Sequence, residues 1–213
     1  MVEVSGSSDN SKQALRRRVL GRRDAMGEAE HRESSQTIVG KVLSLEAYRR
    51  AGVVMAYAGF GSEVRTEPFL RSVLEAGKRL VLPRVNRERG ALDLYEVRDL
   101  ARDLEAGVWG INEPKADPHA AADLGAVDLA LIPGVAFDAR GGRLGHGAGY
   151  YDKLLGGAGG LPPLVAGAFE VQVVDELPLD PHDVLVDLIL TEKASYPPGA
   201  LEVLPGSGAG SDP

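Results

Sequence analysis

The residues best suited to chemistry lie in one glycine-rich stretch, residues 131–155, with the sequence LIPGVAFDARGGRLGHGAGYYDKLL. An apolar run from Asp128 to Ile132 predicts a buried strand, and a helix is predicted to begin at Tyr150, with glycines alternating at 145, 147 and 149 between them. Glycine allows the backbone to take positive φ and to approach a ligand closely. The free N–H groups of a helix's first turn favour an anion. The stretch therefore predicts a cradle for phosphate groups.

Charged residues flank these glycines. Arg143 comes just before them, and its guanidinium can bind phosphate oxygens through two parallel hydrogen bonds. Asp152 follows inside the predicted helix and could hold Mg²⁺ against those phosphates, with Asp183 as a second carboxylate on the same metal. Each acid also has a structural interpretation, Asp152 as a first-turn acid that complements the helix dipole and Asp183 as a turn residue.

Two other parts of the chain offer candidate partners. In a helix predicted to begin near Ser11, Lys12 and Arg16 are four residues apart, share a face and could reach a polyphosphate together. The alternative is a solvated basic helix face. Glu63 follows a predicted buried strand, Val53 to Ala58, and ligands of open α/β sheets bind beyond the carboxyl ends of such strands. Its alternative is a solvated loop acid.

Several function classes are excluded or disfavoured. The chain has no cysteine, which excludes disulfides, thiolate catalysis and cysteine-ligated zinc. Its four histidines lack metal-ligand spacing, and the glycine loop matches neither the Walker A motif nor G-x-G-x-x-G. The formal net charge of −7 argues against nucleic-acid binding through a basic patch. No apolar run approaches roughly 20 residues, so no membrane span is predicted, and neither is a signal peptide. We expect a cytoplasmic protein.

Alternating helix and strand patterns predict the fold class. We expect an α/β fold: a single three-layer domain with a mostly parallel sheet flanked by helices, Rossmann-like. Residues 1–10 are predicted to be disordered and residues 197–213 to form a flexible tail. The remaining predicted elements are a helix at 28–45, a helix capped by Thr66 and ended by Gly77, strands at 78–85 (closed by Pro83), 92–97, 164–169 and 184–190, and a loop at 104–114 that holds Trp109.

The central segment PGVAFDARGGRLGHGAGYYDKLL resembles the hallmark segment of the 5-formyltetrahydrofolate cyclo-ligases, also called 5,10-methenyltetrahydrofolate synthetases. The resemblance extends over nearly the whole chain. KQALRRRVLGRR is similar to the family's opening helix, GSEVRTEPFL to its folate-side loop and LPRV to a core strand. GINEP and PHDVLVDLILTE are similar to later segments in the same order. The resemblance implies a single cyclo-ligase domain at residues 1–196.

The resemblance implies a reaction of one-carbon metabolism. Members use ATP and Mg²⁺ to convert 5-formyltetrahydrofolate to 5,10-methenyltetrahydrofolate through a phosphorylated formyl intermediate, with release of ADP and phosphate. The expected partners are a folate and ATP, with no nucleic acid and no membrane. The acidic composition is compatible with a monomer.

The resemblance also implies residue roles. Arg143 and Tyr151 would be catalytic, and Asp152 and Asp183 would bind the metal. The nucleotide would be bound by Lys12, Arg16, Arg143, Leu144, Gly145, His146, Gly147, Ala148, Gly149, Tyr150 and Tyr151. The folate would be bound by Tyr57, Phe60, Glu63, Trp109, His146 and Tyr150. His146 and Ala148 depart from the residues that members often carry there.

Two alternatives stay open on the sequence. One is a non-catalytic relative that binds folate or nucleotide. The other is a sugar-phosphate isomerase or CoA-transferase-like enzyme on a related scaffold, in which Lys12 and Arg16 would be ordinary surface residues.

Overall fold

The computed structural model describes residues 5–107 and 110–197. Its helices are α1 (Ser5–Asp24), α2 (Glu28–Ser44), α3 (Glu46–Arg50), α4 (Glu67–Glu75), α5 (Leu100–Asp103) and α6 (Tyr150–Gly156). Its strands are β1 (Val53–Met55), β2 (Arg79–Asn86), β3 (Ala91–Val97), β4 (Leu104–Ala106), β5 (Asn112–Pro114), β6 (Ala121–Ala122), β7 (Leu129–Leu131), β8 (Ala136–Asp138), β9 (Arg143–Leu144), β10 (Leu164–Gly167), β11 (Val173–Val174), β12 (Leu188–Leu190) and β13 (Ser195–Tyr196). Among the described helices, none is long and apolar enough to cross a membrane.

The central sheet has the strand order β13-β12-β10-β7-β1-β2-β3-β6. The neighbours from β12 to β2 are parallel, while β13 at one edge and β3 and β6 at the other are antiparallel. The predicted α/β class, with a large and mostly parallel sheet flanked by helices, is confirmed. The chain winds outward in opposite directions from β1 and β7, so the topological switch point of the sheet lies between these two strands.

Apolar side chains on alternate strand positions form a core on each face of the sheet. On one face, Val54 and Leu80 pack with Phe69 of α4 in a cluster that also includes residues of α2 and α3. On the other face, Met55 of β1 and the side chains of neighbouring strands pack with Leu155 of α6 in a second cluster. Because successive strand residues point to opposite faces, both sides of the sheet are covered and the domain has three layers.

A small sheet with the order β11-β8-β9 lies beside the main one and positions the glycine loop. Helix α1 covers it through Leu15 and Val19, which pack against Leu144 of β9. The turn between β8 and β9 is built around the buried carboxylate of Asp138, which accepts backbone N–H bonds from residues 140, 142 and 177. Burial alone would raise the pKa of Asp138, but these hydrogen bonds outweigh it and hold the pKa below its usual value.

Some predicted boundaries are wrong. Helix α1 begins at Ser5 rather than near Ser11, so residues 5–10 belong to a helix. Strand β1 ends at Met55 instead of Ala58, and β12 covers only the end of the predicted strand 184–190. In that segment, the Val186 N–H donates to Gly141 O in the turn after β8, which draws the chain away from the main sheet.

Pro83 does not close β2, which continues to Asn86 as one arm of a hairpin with β3. The ladder with β1 involves only residues 79–81, so the edge of β2 beyond it has no parallel neighbour and tolerates a residue without an N–H. The predicted loop at 104–114 instead contains a β4–β5 hairpin.

Thr66 stands at the N-cap position of α4, but its side chain makes no capping hydrogen bond. Its hydroxyl donates to Tyr57 O and accepts from the Gly59 N–H, so it closes the loop that follows β1. Gly77 ends the helix as predicted, with a φ of +70°.

Candidate active site

A cleft lies at the carboxyl ends of β1 and β7, where the switch point of the sheet places a ligand site. It has a volume of about 530 Å³. Its wall includes Tyr57 and Glu63 after β1, Pro133 after β7, and the glycine loop that leads into α6. The predicted folate-side loop and the predicted phosphate loop therefore share one cavity.

The glycine loop has the predicted strand-to-helix form. Helix α6 begins at Tyr150, and Gly147 and Gly149 take φ values of +107° and +65°, which favour glycine. Arg16 of α1 lies against this loop, since its Nε donates to Gly145 O at 2.9 Å. A Cβ added at Gly147 would lie 3.5 Å from Arg16 Cζ. Arg16 thus faces the loop, while Arg17 and Arg18 are exposed, as the solvated interpretation predicts for them.

Arg143 and Asp152 form a partly buried ion pair at the floor of the cleft. Arg143 Nη2 donates to Asp152 Oδ1 at 2.6 Å, and the guanidinium lies 5.7 Å from the centre of the Tyr151 ring. Within the described residues, the buried Arg143 Nε–H has no hydrogen-bond partner. A buried donor that lacks a partner carries a desolvation cost.

Lys12 is buried and bound by two carboxylates. Its Nζ lies 2.7 Å from Asp180 Oδ2 and 2.9 Å from Asp183 Oδ2. Burial alone would lower the pKa of Lys12, but the hydrogen bonds to both acids outweigh it and raise the pKa. For Asp183, burial would raise the pKa, but bonds from the Asp180 N–H and Lys12, together with the charge of Arg143, hold it below its usual value. Asp180 was not predicted as a site residue, and the one signal for it in the sequence is its spacing of three residues from Asp183.

The donor set fits Mg²⁺ held jointly with phosphate. The backbone N–H of Val184, the residue after Asp183, donates to Asp152 Oδ1 at an N-to-O distance of 3.5 Å. This contact brings the segment that holds Asp183 next to the carboxylate of Asp152. In the part of the chain that the structure describes, no cluster of three or more His, Cys, Asp or Glu side chains could hold a metal ion. Mg²⁺ in phosphate sites commonly takes only one or two carboxylates, with phosphate and water as the other ligands. Asp152 and Asp183 suit that role.

Glu63 presents a buried carboxylate to the cleft. Its Oε2 accepts from the Phe60 N–H at 3.3 Å, and its Oε1 lies 3.4 Å from His146 Nε2. Burial, together with the charge of Glu63, raises the pKa values of Tyr57 and Tyr151, and the charge of Arg143 only partly opposes this at Tyr151. Both phenols therefore remain protonated hydrogen-bond donors at neutral pH.

A comparison with known protein families decides the family. A profile of the 5-formyltetrahydrofolate cyclo-ligase family matches residues 8–192. The chain belongs to this family. The resemblance drawn from the sequence is confirmed, as is the prediction that the chain is an enzyme of the cyclo-ligase class.

Individual members agree with this assignment. The chain is 32% identical over 188 residues to the 5-formyltetrahydrofolate cyclo-ligase of Mycolicibacterium smegmatis, covering 87% of this chain and 96% of that relative. It is similar to the solved structure of Aquifex aeolicus 5,10-methenyltetrahydrofolate synthetase, with 35% identity, a TM-score of 0.76, and coverage of 87% of this chain and 91% of that one. The corresponding structure from Mycoplasma pneumoniae gives 26% identity, a TM-score of 0.68, and coverage of 85% and 98%.

The structure brings most of the predicted cyclo-ligase site together. The predicted residues that line the cleft are Tyr57, Phe60, Glu63, Arg143, Gly145, His146, Ala148, Gly149, Tyr150, Tyr151 and Asp152. Lys12, Arg16 and Asp183 do not line it, but the contacts described above join them to residues that do. The side chain of Leu144 is buried in the core beneath α1, so only its backbone can face a ligand. Trp109 lies outside the described residues.

One wall of the cleft was not predicted from the sequence. Ile111, Asn112 and the buried acid Glu113 line it from the start of β5 and the residue before it. The family's Gly-Ile-x-Glu-Pro pattern could have pointed to Glu113. Because residues 104–114 were predicted to form a loop, the β4–β5 hairpin that holds Glu113 against β2 was not expected.

Proposed function

We propose that the chain converts 5-formyltetrahydrofolate and ATP to 5,10-methenyltetrahydrofolate, ADP and phosphate, with Mg²⁺ required. The observation that carries this proposal is a single cleft with the Glu63 carboxylate on one wall and the Arg143–Asp152 pair beside the glycine loop on another. Glu63 suits the paired N–H donors of a pterin, and Arg143 suits phosphate oxygens. Such a cleft can bring a folate and a polyphosphate into contact.

The residues around the glycine loop would bind the triphosphate. Backbone N–H groups at 145–149, the guanidiniums of Arg16 and Arg143, and the ammonium of Lys12 supply donors and positive charge. Asp152 and Asp183 would hold Mg²⁺, which neutralises charge on the phosphates when bound. Lys12 is paired with Asp183, so engagement of that carboxylate by a cation would release the ammonium toward the nucleotide.

The reaction requires activation of a poor leaving group. The formyl oxygen attacks the γ-phosphorus, an O–P bond forms, and the bond from the γ-phosphorus to the bridging oxygen breaks to release ADP. N10 of the folate then attacks the formyl carbon and loses its proton. The carbon–oxygen bond breaks last, and phosphate leaves with the formyl oxygen. Phosphoryl transfer of this kind depends mainly on positioning and on charge stabilisation, which Arg143 provides.

Apolar walls complete the folate site. Phe60 stacks at a tilt on His146, with ring centroids 5.7 Å apart, and His146 reaches Glu63. This contact orders the side of the cleft where the pterin would lie. Tyr151, a protonated phenol beside the Arg143 guanidinium, is suited to donate a hydrogen bond to the oxygen that develops charge.

A direct assay tests the proposal. Purified protein is mixed with 5-formyltetrahydrofolate, ATP and Mg²⁺, and the near-ultraviolet band of the methenyl product is followed, with a parallel sample that lacks ATP. We expect an ATP-dependent rise. If the protein binds folate and ATP by calorimetry without any rise, the non-catalytic alternative is correct. If it binds neither ligand, the result favours the alternative of a sugar-phosphate isomerase or CoA-transferase-like enzyme that does not use ATP.

A further inference from the structure

Glu113 is a second buried carboxylate in the cleft, on the wall formed by β5. The residue is 4% exposed and lines the same cavity as Glu63. It stands directly opposite Glu105 in the β4–β5 hairpin, but the two acids differ in their surroundings. Arg84 Nη1 donates to Glu105 Oε1 and to Pro114 O, so this nitrogen binds the neighbours of Glu113 and not its carboxylate.

The hairpin makes specific room for this side chain. A Cβ added at Gly107 would lie 2.5 Å from Cδ and 2.6 Å from Cγ of Glu113, and nearer still to Oε2. Real Cβ atoms do not approach other heavy atoms so closely, so the observed position of the carboxylate requires glycine at 107. The backbone of Gly107 is fixed in turn by its N–H bond to Ile111 O at 2.7 Å.

The carboxylate has little compensation for its burial. Within the described residues, its hydrogen bonding is limited to one long contact, from the Val85 N–H to Oε1 at 3.4 Å. Asp138 shows how a purely structural buried acid is treated in this chain, since it accepts three backbone N–H bonds at 3.0–3.1 Å. Burial of a carboxylate with free acceptor positions is costly. Because Glu113 borders the cavity, a ligand in the cleft can supply the missing donors.

We propose that Glu113 is a substrate-binding residue that accepts a hydrogen bond from an N–H group of the bound folate, and that Gly107 is required to admit its side chain. The inference rests on the proposed function, because the reduced folate carries such donors on its pterin ring and on its N10 linker. Glu63 already engages His146 and the Phe60 N–H, so a second acceptor that lines the same cleft adds recognition that Glu63 alone does not provide.

The test measures the affinity for 5-formyltetrahydrofolate by calorimetry without ATP, so that no turnover occurs. We compare the wild type with Glu113→Leu, Glu113→Gln and Gly107→Ala, and use Glu105→Gln as the matched control on the same hairpin. A hydrogen bond to a charged group corresponds to about a 10- to 100-fold change in affinity. Glu113→Leu should weaken folate binding by that factor, Glu113→Gln and Gly107→Ala by less, and Glu105→Gln should not change it.

Two further measurements separate recognition from structure. The affinity for ATP and the midpoint of urea unfolding should be unchanged, or the midpoint higher, in Glu113→Leu and Glu113→Gln, because an uncompensated buried charge has been removed. Unchanged folate affinity in both variants overturns the inference, as does a joint loss of folate affinity, ATP affinity and stability. If Glu113→Leu does not fold, the nearly isosteric Glu113→Gln decides the outcome. If the wild type itself does not bind 5-formyltetrahydrofolate, the proposed function fails and the inference fails with it.

Discussion

Removal of Asp152 should destabilise the protein far more than removal of Arg143, although the two residues form one ion pair. The Arg143 side chain is 3% exposed and that of Asp152 is 26% exposed. Asp152→Ala therefore leaves a guanidinium charge in the interior, whereas Arg143→Met leaves a carboxylate that water can still reach. Loss of one partner of a buried pair typically costs about 3–5 kcal/mol, and replacement of the buried charge by an apolar side chain is often nearly neutral.

We expect the lower end of that range for Asp152→Ala, about 3 kcal/mol, because the Tyr151 ring and Asp183 remain near the guanidinium. This corresponds to a fall in the melting temperature of roughly 6–12 °C for a chain of this size. Arg143→Met should cost about 1 kcal/mol, and the double variant should resemble Arg143→Met, which gives a coupling free energy of about 3 kcal/mol in magnitude.

The assay is urea unfolding at pH 7 without ligands, followed by circular dichroism. Glu176→Ala serves as the surface control, because it removes one partner of the exposed Arg140–Glu176 pair and should leave the midpoint unchanged. If Asp152→Ala is as stable as the wild type, or if Arg143→Met loses as much stability as Asp152→Ala, burial of the guanidinium does not determine the stability of this pair.

Three other predictions follow from single contacts. Asp138→Asn should lower the free energy of unfolding by about 1–3 kcal/mol at pH 7. Because the pKa of Asp138 is depressed in the folded protein, this stability is lost as the pH falls from about 3.9 through the folded pKa. The difference in melting temperature between the variant and the wild type should therefore shrink near pH 3.5, and a constant difference would contradict the prediction. Gly147→Ala should weaken ATP binding in calorimetry, because a φ of +107° is strained for an L-residue by about 1–2 kcal/mol, whereas the control Gly156→Ala, which has open space and lies in α6, should bind normally. Lys12→Ala should weaken ATP binding about 10- to 100-fold; equal affinity would make Lys12 a structural residue of the Asp180 and Asp183 cluster.

The parts of the fold that the sequence predicted correctly depend on local signals. The start of α6 follows from a run of glycines before Tyr150, and the end of α4 from Gly77, because glycine is favoured where φ is positive. The parallel sheet follows from short, continuously apolar segments separated by helices. These patterns are determined by neighbouring residues and need no knowledge of long-range contacts.

The errors arise where a distant segment decides the local structure. Pro83 is tolerated within β2 because β1 has ended beside it, and the side chain of Thr66 bonds across its loop to Tyr57 instead of capping α4. In both cases a sound local rule gave the wrong result because the competing partner lies elsewhere in the chain.

The same distinction applies to the site. The glycine loop, Arg143 and Asp152 are close in sequence, and the structure keeps them together. The pairing of Lys12 with Asp180 and Asp183 joins residues more than 160 positions apart, and nothing in the local sequence predicts it. Glu113 was not predicted for the same reason, since its place in the cleft wall depends on how the hairpin packs against β2.

An isotope measurement can determine whether this cleft activates the formyl oxygen by phosphorylation, as we propose. 5-Formyltetrahydrofolate labelled with ¹⁸O in the formyl group is converted with unlabelled ATP in ordinary water, and the released phosphate is examined by mass spectrometry. We expect one ¹⁸O atom in each phosphate, in a one-to-one ratio with the methenyl product. Unlabelled phosphate, with the label lost to water, would show that the formyl oxygen is not phosphorylated.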